Sequence, residues 1–274
     1  MAEREIEVPC HFGEWLQGRI RAGGPVALVT LMPGGLVLRA RHRPGAGDMP
    51  EIGAAYEASP LSQDTVAPFL AALGLRLGGE ITLEPPFAPG LGCGVSTAAL
   101  VALARLAGFA GPPEALARAC VEAEGASDPL MFAAPNRMLF ASREGRVLMQ
   151  LASPPPVHLV AGFFGAPTRT DATDADYDDI SDLVAQWQRR DDAGWCAALA
   201  AESALRCLAR RGPADDPTPD LARDLGALGF AMSHSGAARA LVFPADAPPR
   251  HGEEAMKEAG LVFAGSFAPQ AEAA

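Results

Sequence analysis

The sequence predicts an α+β protein in two parts. Three observations carry that expectation. Short apolar runs of strand length alternate with segments of helical periodicity along the 274 residues. After position 156 the order is strand, helices, strand, helix, strand, which suits an antiparallel sheet with helices on one face. Between the halves stands Pro154-Pro155-Pro156, and consecutive prolines cannot sit inside a helix or sheet. The chain therefore divides into 1–153 and 154–274.

Glu5–Val8 and Val26–Leu31 are strands by composition, and Leu36–Arg41 follows a Pro33-Gly34-Gly35 turn. Leu61–Leu73 has apolar residues at helical spacing, with Ser62 placed to cap it. Gly79–Leu83 is a strand. Ser96–Leu106 opens on Ser and Thr and is apolar all round, which predicts a buried helix. Pro113–Glu122 is a second helix, with proline at its start. Leu139–Ala141 and Arg146–Leu151 form a hairpin about Glu144-Gly145. In the second half Val157–Phe163 is a strand, and Ile180–Arg210 is helical with a break near Asp191–Gly194. Pro219–Leu228 is a helix, Arg239–Phe243 a strand, Gly252–Ala259 a helix and Leu261–Phe267 a strand.

Composition excludes several function classes. A net charge of −11 opposes nucleic acid or an anionic membrane as partner. Among 22 Lys+Arg, Lys257 is the one lysine. That leaves no lysine for a Walker A loop or for the strand lysine of protein kinases, and it argues against Schiff-base chemistry. The five cysteines are widely spaced, with no CxxC pair and no HExxH. The N-terminus lacks a cationic, apolar signal, so the expectation is a cytoplasmic protein with reduced thiols. Two uncharged stretches, Pro85 to Ala104 and Val147 to Thr168, approach the ~20 residues of a membrane helix. Both are broken by Pro and Gly.

The segment Pro89-Gly90-Leu91-Gly92-Cys93-Gly94-Val95-Ser96-Thr97-Ala98-Ala99 is the most informative. Three alternating glycines let the backbone turn sharply and approach a ligand closely. A helix follows, and its first turn offers unpaired N–H groups and the positive end of a dipole, a combination that binds phosphate. Ser96 and Thr97 add hydroxyls. The alternative is a structural Gly-rich turn with Ser/Thr capping a core helix. The loop is not GxGxxG, since Val95 takes the third glycine's place, and it is not Walker A.

Gly90-Leu91-Gly92 followed by Ser96-Thr97-Ala98 resembles the second motif of the GHMP kinases, which include galactokinase, homoserine kinase and mevalonate kinase. The spacing is similar to one branch, the L-threonine kinases of cobalamin biosynthesis and propanediol utilisation, whose loop reads Gly-x-Gly, three residues, Ser-Thr-Ala. Pro9-Cys10-His11-Phe12-Gly13-Glu14-Trp15-Leu16-Gln17-Gly18 resembles the opening of that branch, Pro-Gly-Ser-Cys-Gly-Glu-Leu-x-Gln-Gly. Gly13, Glu14, Gln17 and Gly18 match; Cys10, His11 and Phe12 depart. Leu28-Val29-Thr30 with Pro33 is also similar. Ser127-Asp128-Pro129-Leu130-Met131-Phe132 resembles a Thr-Asp-Gly-x-Met-Phe stretch, and His234-Ser235-Gly236 resembles the third, glycine-containing motif. The sites lie in the family's order between positions 9 and 236.

This resemblance implies a ribosomal-S5-like N-terminal domain, a ferredoxin-like C-terminal domain and an active site between them. ATP would lie along Pro89–Thr97, with Mg²⁺ held by Ser96 and a nearby glutamate, Glu122 or Glu124, of which Glu124 is nearer Asp128. Asp128 would take the proton of the acceptor hydroxyl; a turn or helix cap is the other reading of Ser-Asp-Pro. Glu14 and Gln17 would line the acceptor site, Glu14 meeting an ammonium group. They would share a face if that segment were helical, and otherwise sit on a surface turn. Ser235 and Gly236 would close the site with backbone groups, and His234 is a lesser candidate base. The implied reaction converts ATP and L-threonine to ADP and O-phospho-L-threonine, and homoserine is an alternative acceptor. Cationic help must come from arginine, with Arg137, Arg169 and Arg239 as candidates. Thr170-Asp171 resembles a family stretch near the substrate. The acidic run from Asp171 to Asp179 fails as a calcium loop, because Asp179 replaces the needed glycine and Ala185 the bidentate Glu; it is expected to be a solvated loop. Two other classes remain. One is a cysteine acyl-transfer enzyme with Cys93 activated by His11, His158 or His234. The other is a degenerate fold that binds nucleotide without turnover.

Overall fold

In the computed structural model, which describes residues 3–54, 59–168, 170–174 and 176–269, the chain opens on β1 (Arg4–Pro9) and β2 (Glu14–Arg19). β3 (Val26–Thr30), β4 (Val37–Pro44) and β5 (Pro50–Ala54) follow, then α1 (Gln63–Ala72) and β6 (Gly79–Glu84). Helices α2 (Val95–Leu106) and α3 (Pro113–Glu124) lead to the hairpin of β7 (Met138–Ala141) and β8 (Arg146–Gln150). The second half runs β9 (Val157–Phe163), α4 (Ser181–Trp187), α5 (Ala193–Arg211), α6 (Thr218–Asp224) and β10 (Gly229–Met232). It ends with β11 (Ala238–Pro244), α7 (Gly252–Glu258) and β12 (Val262–Phe267). Among the described residues, no helix is long and apolar enough to cross a membrane.

The strands make two sheets. One has the order β1-β4-β6-β5, with β5 parallel to β6 through the α1 crossover. The other has the order β12-β9-β11-β10-β2-β3-β7-β8. Its second-half strands, counted along the chain, lie 4-1-3-2 and pair antiparallel, which is the ferredoxin-like arrangement. They join the first-half strands where Met232 of β10 pairs with Glu14 of β2. The proposed division at 153/154 falls in the stretch between β8 and β9 that holds the three prolines.

Local sequence explains most elements. In β4 Leu38, Ala40 and His42 are buried while Arg39, Arg41 and Arg43 face out, the period of two of a one-sided strand. Arg39 and Arg41 stand opposite Glu7 and Glu5 of β1, and Arg43 opposite Glu80 of β6, each ion pair closing at 2.8 Å. Exposed pairs of this kind contribute about 0.2–1 kcal/mol each and chiefly hold register. Ser62 caps α1, its Oγ accepting from the amide of Thr65 at 3.2 Å. Helix α2 is buried on all sides except at Ser96 and Arg105 and packs against β1, β4 and α3.

Three strands depart from the sequence expectation. β2 is buried at every position but its last, so it has no alternation, and Glu14 and Gln17 mask its apolar character. β5 is short and holds Pro and Gly. β10 has four residues and directly follows α6. The acidic run is also not simply solvated. Arg210 pairs with Asp176 at 2.6 Å and with Asp178, Arg211 pairs with Asp174, and the Arg211 guanidinium lies 4.1 Å from the Tyr177 ring centre. The last turn of α5 therefore fastens this segment to the domain.

Arg239 of β11 and Asp216 form a fully buried ion pair at 2.7 Å, each side chain 3% exposed. Arg239 also donates to the carbonyls of Gly236 (3.2 Å) and Ala238 (3.0 Å), bracing the β10–β11 turn. Asp216 accepts from the amide and hydroxyl of Thr218 at the start of α6. Removing one member leaves the other charge buried and uncompensated. Arg239→Met is thus expected to cost about 3–5 kcal/mol, read from its urea midpoint, with most of the loss recovered in Arg239→Met/Asp216→Leu.

Candidate active site

The glycine loop joins β6 to α2, and its carbonyls are tied down by three separate segments. Gly90 O accepts from the amide of Thr168 (2.8 Å), Leu91 O from Ala238 (2.9 Å) and Cys93 O from His11 (3.2 Å). In a trans peptide the N–H points opposite to the C=O. The amides of Leu91, Gly92 and Gly94 are therefore turned away from these anchors. Gly90, Gly92 and Gly94 have φ of +85°, +85° and +69°, values that L side chains rarely adopt. Gly94 is the N-cap of α2 and supplies no side-chain hydrogen bond. Ser96 and Thr97 do not cap the helix; their hydroxyls reach other partners. All of Pro89, Gly90, Leu91, Gly92, Cys93, Gly94, Val95, Ser96 and Thr97 line a cleft of about 310 Å³.

Ser96 Oγ donates to Glu124 Oε1, and Glu124 ends α3 at the cleft. Glu122 is exposed and does not line it. Asp128 sits in the α3–β7 connection with its amide donating to Thr97 Oγ1 at 3.2 Å. Its carboxylate Oδ2 lies 3.5 Å from Thr97 Oγ1 and 3.4 Å from His11 Nε2, and 22% of the side chain is exposed to the cleft. No helix starts at Asp128, and its carboxylate faces these two side chains rather than capping a turn.

His11 is buried, and its Nδ1 donates to Gly13 O at 3.2 Å. Burial works against the imidazolium, but the Asp128 and Glu14 carboxylates outweigh that penalty and raise its pKa above the ordinary 6.5. His11, Glu14 and Asp128 each bring one ligand atom within 4.8 Å of the others.

The structure also revises how Glu14 and Gln17 come together. They lie on a strand, not a helix or a surface turn. A bulge at Trp15 puts Glu14 opposite Thr30 and Gln17 opposite Leu28. Since Thr30 and Leu28 are two apart, both side chains fall on one face, which a regular strand would forbid at a spacing of three. Both line the cleft. Glu14 lies between His11 Nδ1 (3.9 Å) and His234 Nδ1 (3.8 Å). Its Oε2, with Gln17 Oε1, is buried without a hydrogen-bond partner among the described residues.

On the opposite wall Ser233 and Ser235 line the cleft, whereas Gly236 and His234 do not. Gly236 lies behind the glycine loop, where a Cβ would sit 2.7 Å from the Cα and N of Gly92. A Cβ on Gly92 would run into the Ser233 side chain. These glycines thus serve loop-to-loop packing as well as any ligand. His234 is buried, its Nε2 3.5 Å from Ser203 Oγ. Thr170 lines the cleft with its hydroxyl 3.3 Å from that of Ser235.

Among the arginines, Arg239 is taken up by Asp216, Arg137 is exposed away from the cleft, and Arg169 lies outside the described residues. Arg143, just past β7, does line it. Sequence reasoning missed this residue because nothing in a hairpin turn marks which way an arginine folds. Cys93 does not fit an activated nucleophile. Burial pushes its thiol well above the ordinary 9.0, and Cys10, Glu14 and Asp128 add to the shift, the opposite of what nucleophilic cysteines require.

The chain matches no family model and no curated protein in sequence. It is similar in structure to the mevalonate kinase of Methanococcus jannaschii, at 9% identity and a TM-score of 0.67, covering 98% of this chain and 99% of that one. The mevalonate kinase of methicillin-resistant Staphylococcus aureus matches at 14% identity, TM-score 0.65, covering 97% and 98%. The homoserine kinase of Cytophaga hutchinsonii matches at 14% identity, TM-score 0.55, covering 97% and 95%. The likeness runs over nearly the whole chain and identifies the fold as the α+β fold of these kinases.

Two outcomes are expected. Gly92→Ala should lose about 1–3 kcal/mol through its positive φ, plus the clash with Ser233. Gly92→Ala/Ser233→Gly should recover only the clash, measured by chemical unfolding. The His11 pKa is raised on folding, so its contribution is complete below about pH 6.5 and fades as pH rises through the folded value. The stability difference between wild type and His11→Gln should therefore be larger at about pH 6 than at about pH 9.

Proposed function

We propose that this protein is an ATP-dependent small-molecule kinase that phosphorylates the hydroxyl of L-threonine, giving O-phospho-L-threonine for cobalamin biosynthesis. The observation that carries the reading is the glycine loop. Its carbonyls are anchored by three other segments of the chain, it leads into the N-terminus of a buried helix, and an aspartate stands beside it in the same cleft. Such a loop suits a polyphosphate. The fold shared with mevalonate and homoserine kinases supports the same reading.

In this proposal the phosphates of ATP lie along Pro89–Thr97. Ser96 and Glu124 present a hydroxyl and a carboxylate in contact with each other at that helix end, hard oxygen donors that fit Mg²⁺. When bound, the metal neutralises charge on the phosphates. Asp128 accepts the hydroxyl proton as the acceptor oxygen attacks the γ-phosphorus, the bond from that phosphorus to the bridging oxygen breaks and ADP leaves. The His11 imidazole and the Thr97 hydroxyl orient the Asp128 carboxylate. Glu14 and Gln17 present, on one face of β2, acceptor atoms that have no partner among the described residues, which suits an ammonium group. Ser235 borders the acceptor space, and Gly236 acts from behind by letting its loop close on Gly92. The site lies where the proposed domains 1–153 and 154–274 meet. Homoserine, an amino alcohol, would satisfy the same ammonium contact and is the second reading.

The test is ADP release from Mg-ATP with a panel of L-threonine, L-serine, homoserine, galactose and mevalonate. L-threonine is expected to be turned over best. Asp128→Asn should lower kcat roughly 10²-fold or more while nucleotide affinity is nearly kept. A fully active Asp128→Asn would reject the proton-acceptor role. Nucleotide binding without turnover on any acceptor would reject the kinase in favour of a binding module.

A further inference from the structure

Three carboxylates, Glu14, Glu124 and Asp128, line the cleft. Among the described residues, Arg143 is the one lysine or arginine that lines it, and the chain's single lysine lies on α7. The Arg143 guanidinium is held at one end, where Nη2 donates to the carbonyl of Asp171 at 2.9 Å. That anchor is itself braced. The Asp171 carboxylate accepts from the amide and hydroxyl of Thr173, both at 2.7 Å, and the following aspartates are fastened to Arg210 and Arg211. The other two nitrogens, Nε and Nη1, are buried and have no hydrogen-bond acceptor among the described residues. Buried donors are nearly always paired, and a guanidinium cannot shed its charge to escape the penalty. A fixed, always-charged group with two buried, unpaired donors, on a side chain that borders a ligand-sized cleft, is complementary to an oxyanion.

We infer that Arg143 is the oxyanion receptor of this cleft, its guanidinium binding an oxygen of one reactant. Resting on the reading above, that oxygen belongs either to the transferred phosphoryl group or to the carboxylate of the amino-acid acceptor. The two sources share one chemistry and separate by experiment.

Calorimetric titration of wild type and Arg143→Gln with a non-hydrolysable Mg-ATP analogue, AMP, L-threonine and 1-amino-2-propanol decides both points. The last is threonine without its carboxylate. Arg143→Gln should weaken one ligand by about tenfold or more, the loss expected for a charge-assisted hydrogen bond. Weakened L-threonine with unchanged 1-amino-2-propanol identifies the carboxylate. A weakened triphosphate analogue with unchanged AMP identifies the phosphoryl group. Arg143→Lys, which keeps the charge and loses the fork, should fall between the two and guards against a misfolded glutamine variant. If both variants bind every ligand within twofold of wild type, the inference is overturned; it falls equally if wild type binds none of them. A wild type that binds these ligands but releases no ADP would sink the kinase reading while leaving the Arg143 comparison intact.

Discussion

The three hydrogen bonds that hold the carbonyls of Gly90, Leu91 and Cys93 are the constraint on which the rest of the site depends. A loop of alternating glycines is intrinsically permissive, and its freedom must be removed before it can present donors in a fixed direction. Here each anchor comes from a different part of the chain: the segment after β9, the start of β11 and the segment after β1. Loop, helix N-terminus and neighbouring turns therefore form one unit. Close contact between Gly92 and the Ser233–Gly236 turn extends that unit across the two halves of the protein.

The second feature is how the fold manages negative charge. Glu14 lies at the pairing that connects the halves of the large sheet, where it is nearly inaccessible. Two histidines flank it at close to 4 Å, and neither makes a hydrogen bond to it. A buried carboxylate left with an open lone pair is costly, and such groups concentrate at binding sites. His11 also approaches Asp128, so one imidazole faces two carboxylates. On the far side, arginines of α5 fasten the acidic segment, and the Asp171 carbonyl then holds Arg143. Positive charge reaches the cleft through that indirect route.

Much of the fold was legible in the residues. Helices α1, α2 and α3 and strands β1, β3, β4, β6, β9 and β11 lie where periodicity, capping residues and turns place them, because those signals are local. The hidden strands are those whose identity depends on neighbours. β2 carries Glu14 and Gln17 in a position buried by both halves of the chain, and no single-strand pattern reveals that.

By itself the sequence determined the α+β class and the glycine loop opening a core helix, and it singled out candidate polar residues that line the cleft beside that loop. Glycines, Ser-Thr pairs and aspartate-proline turns declare themselves through their own backbone and side-chain preferences. The tertiary structure alone decided which carboxylates converge, that Glu14 and Gln17 share a face through a bulge, that Arg239 is occupied by Asp216, and that Arg143 enters the cleft. Those outcomes depend on contacts between residues far apart in the chain, and the direction of a long side chain is set by partners that local sequence does not specify.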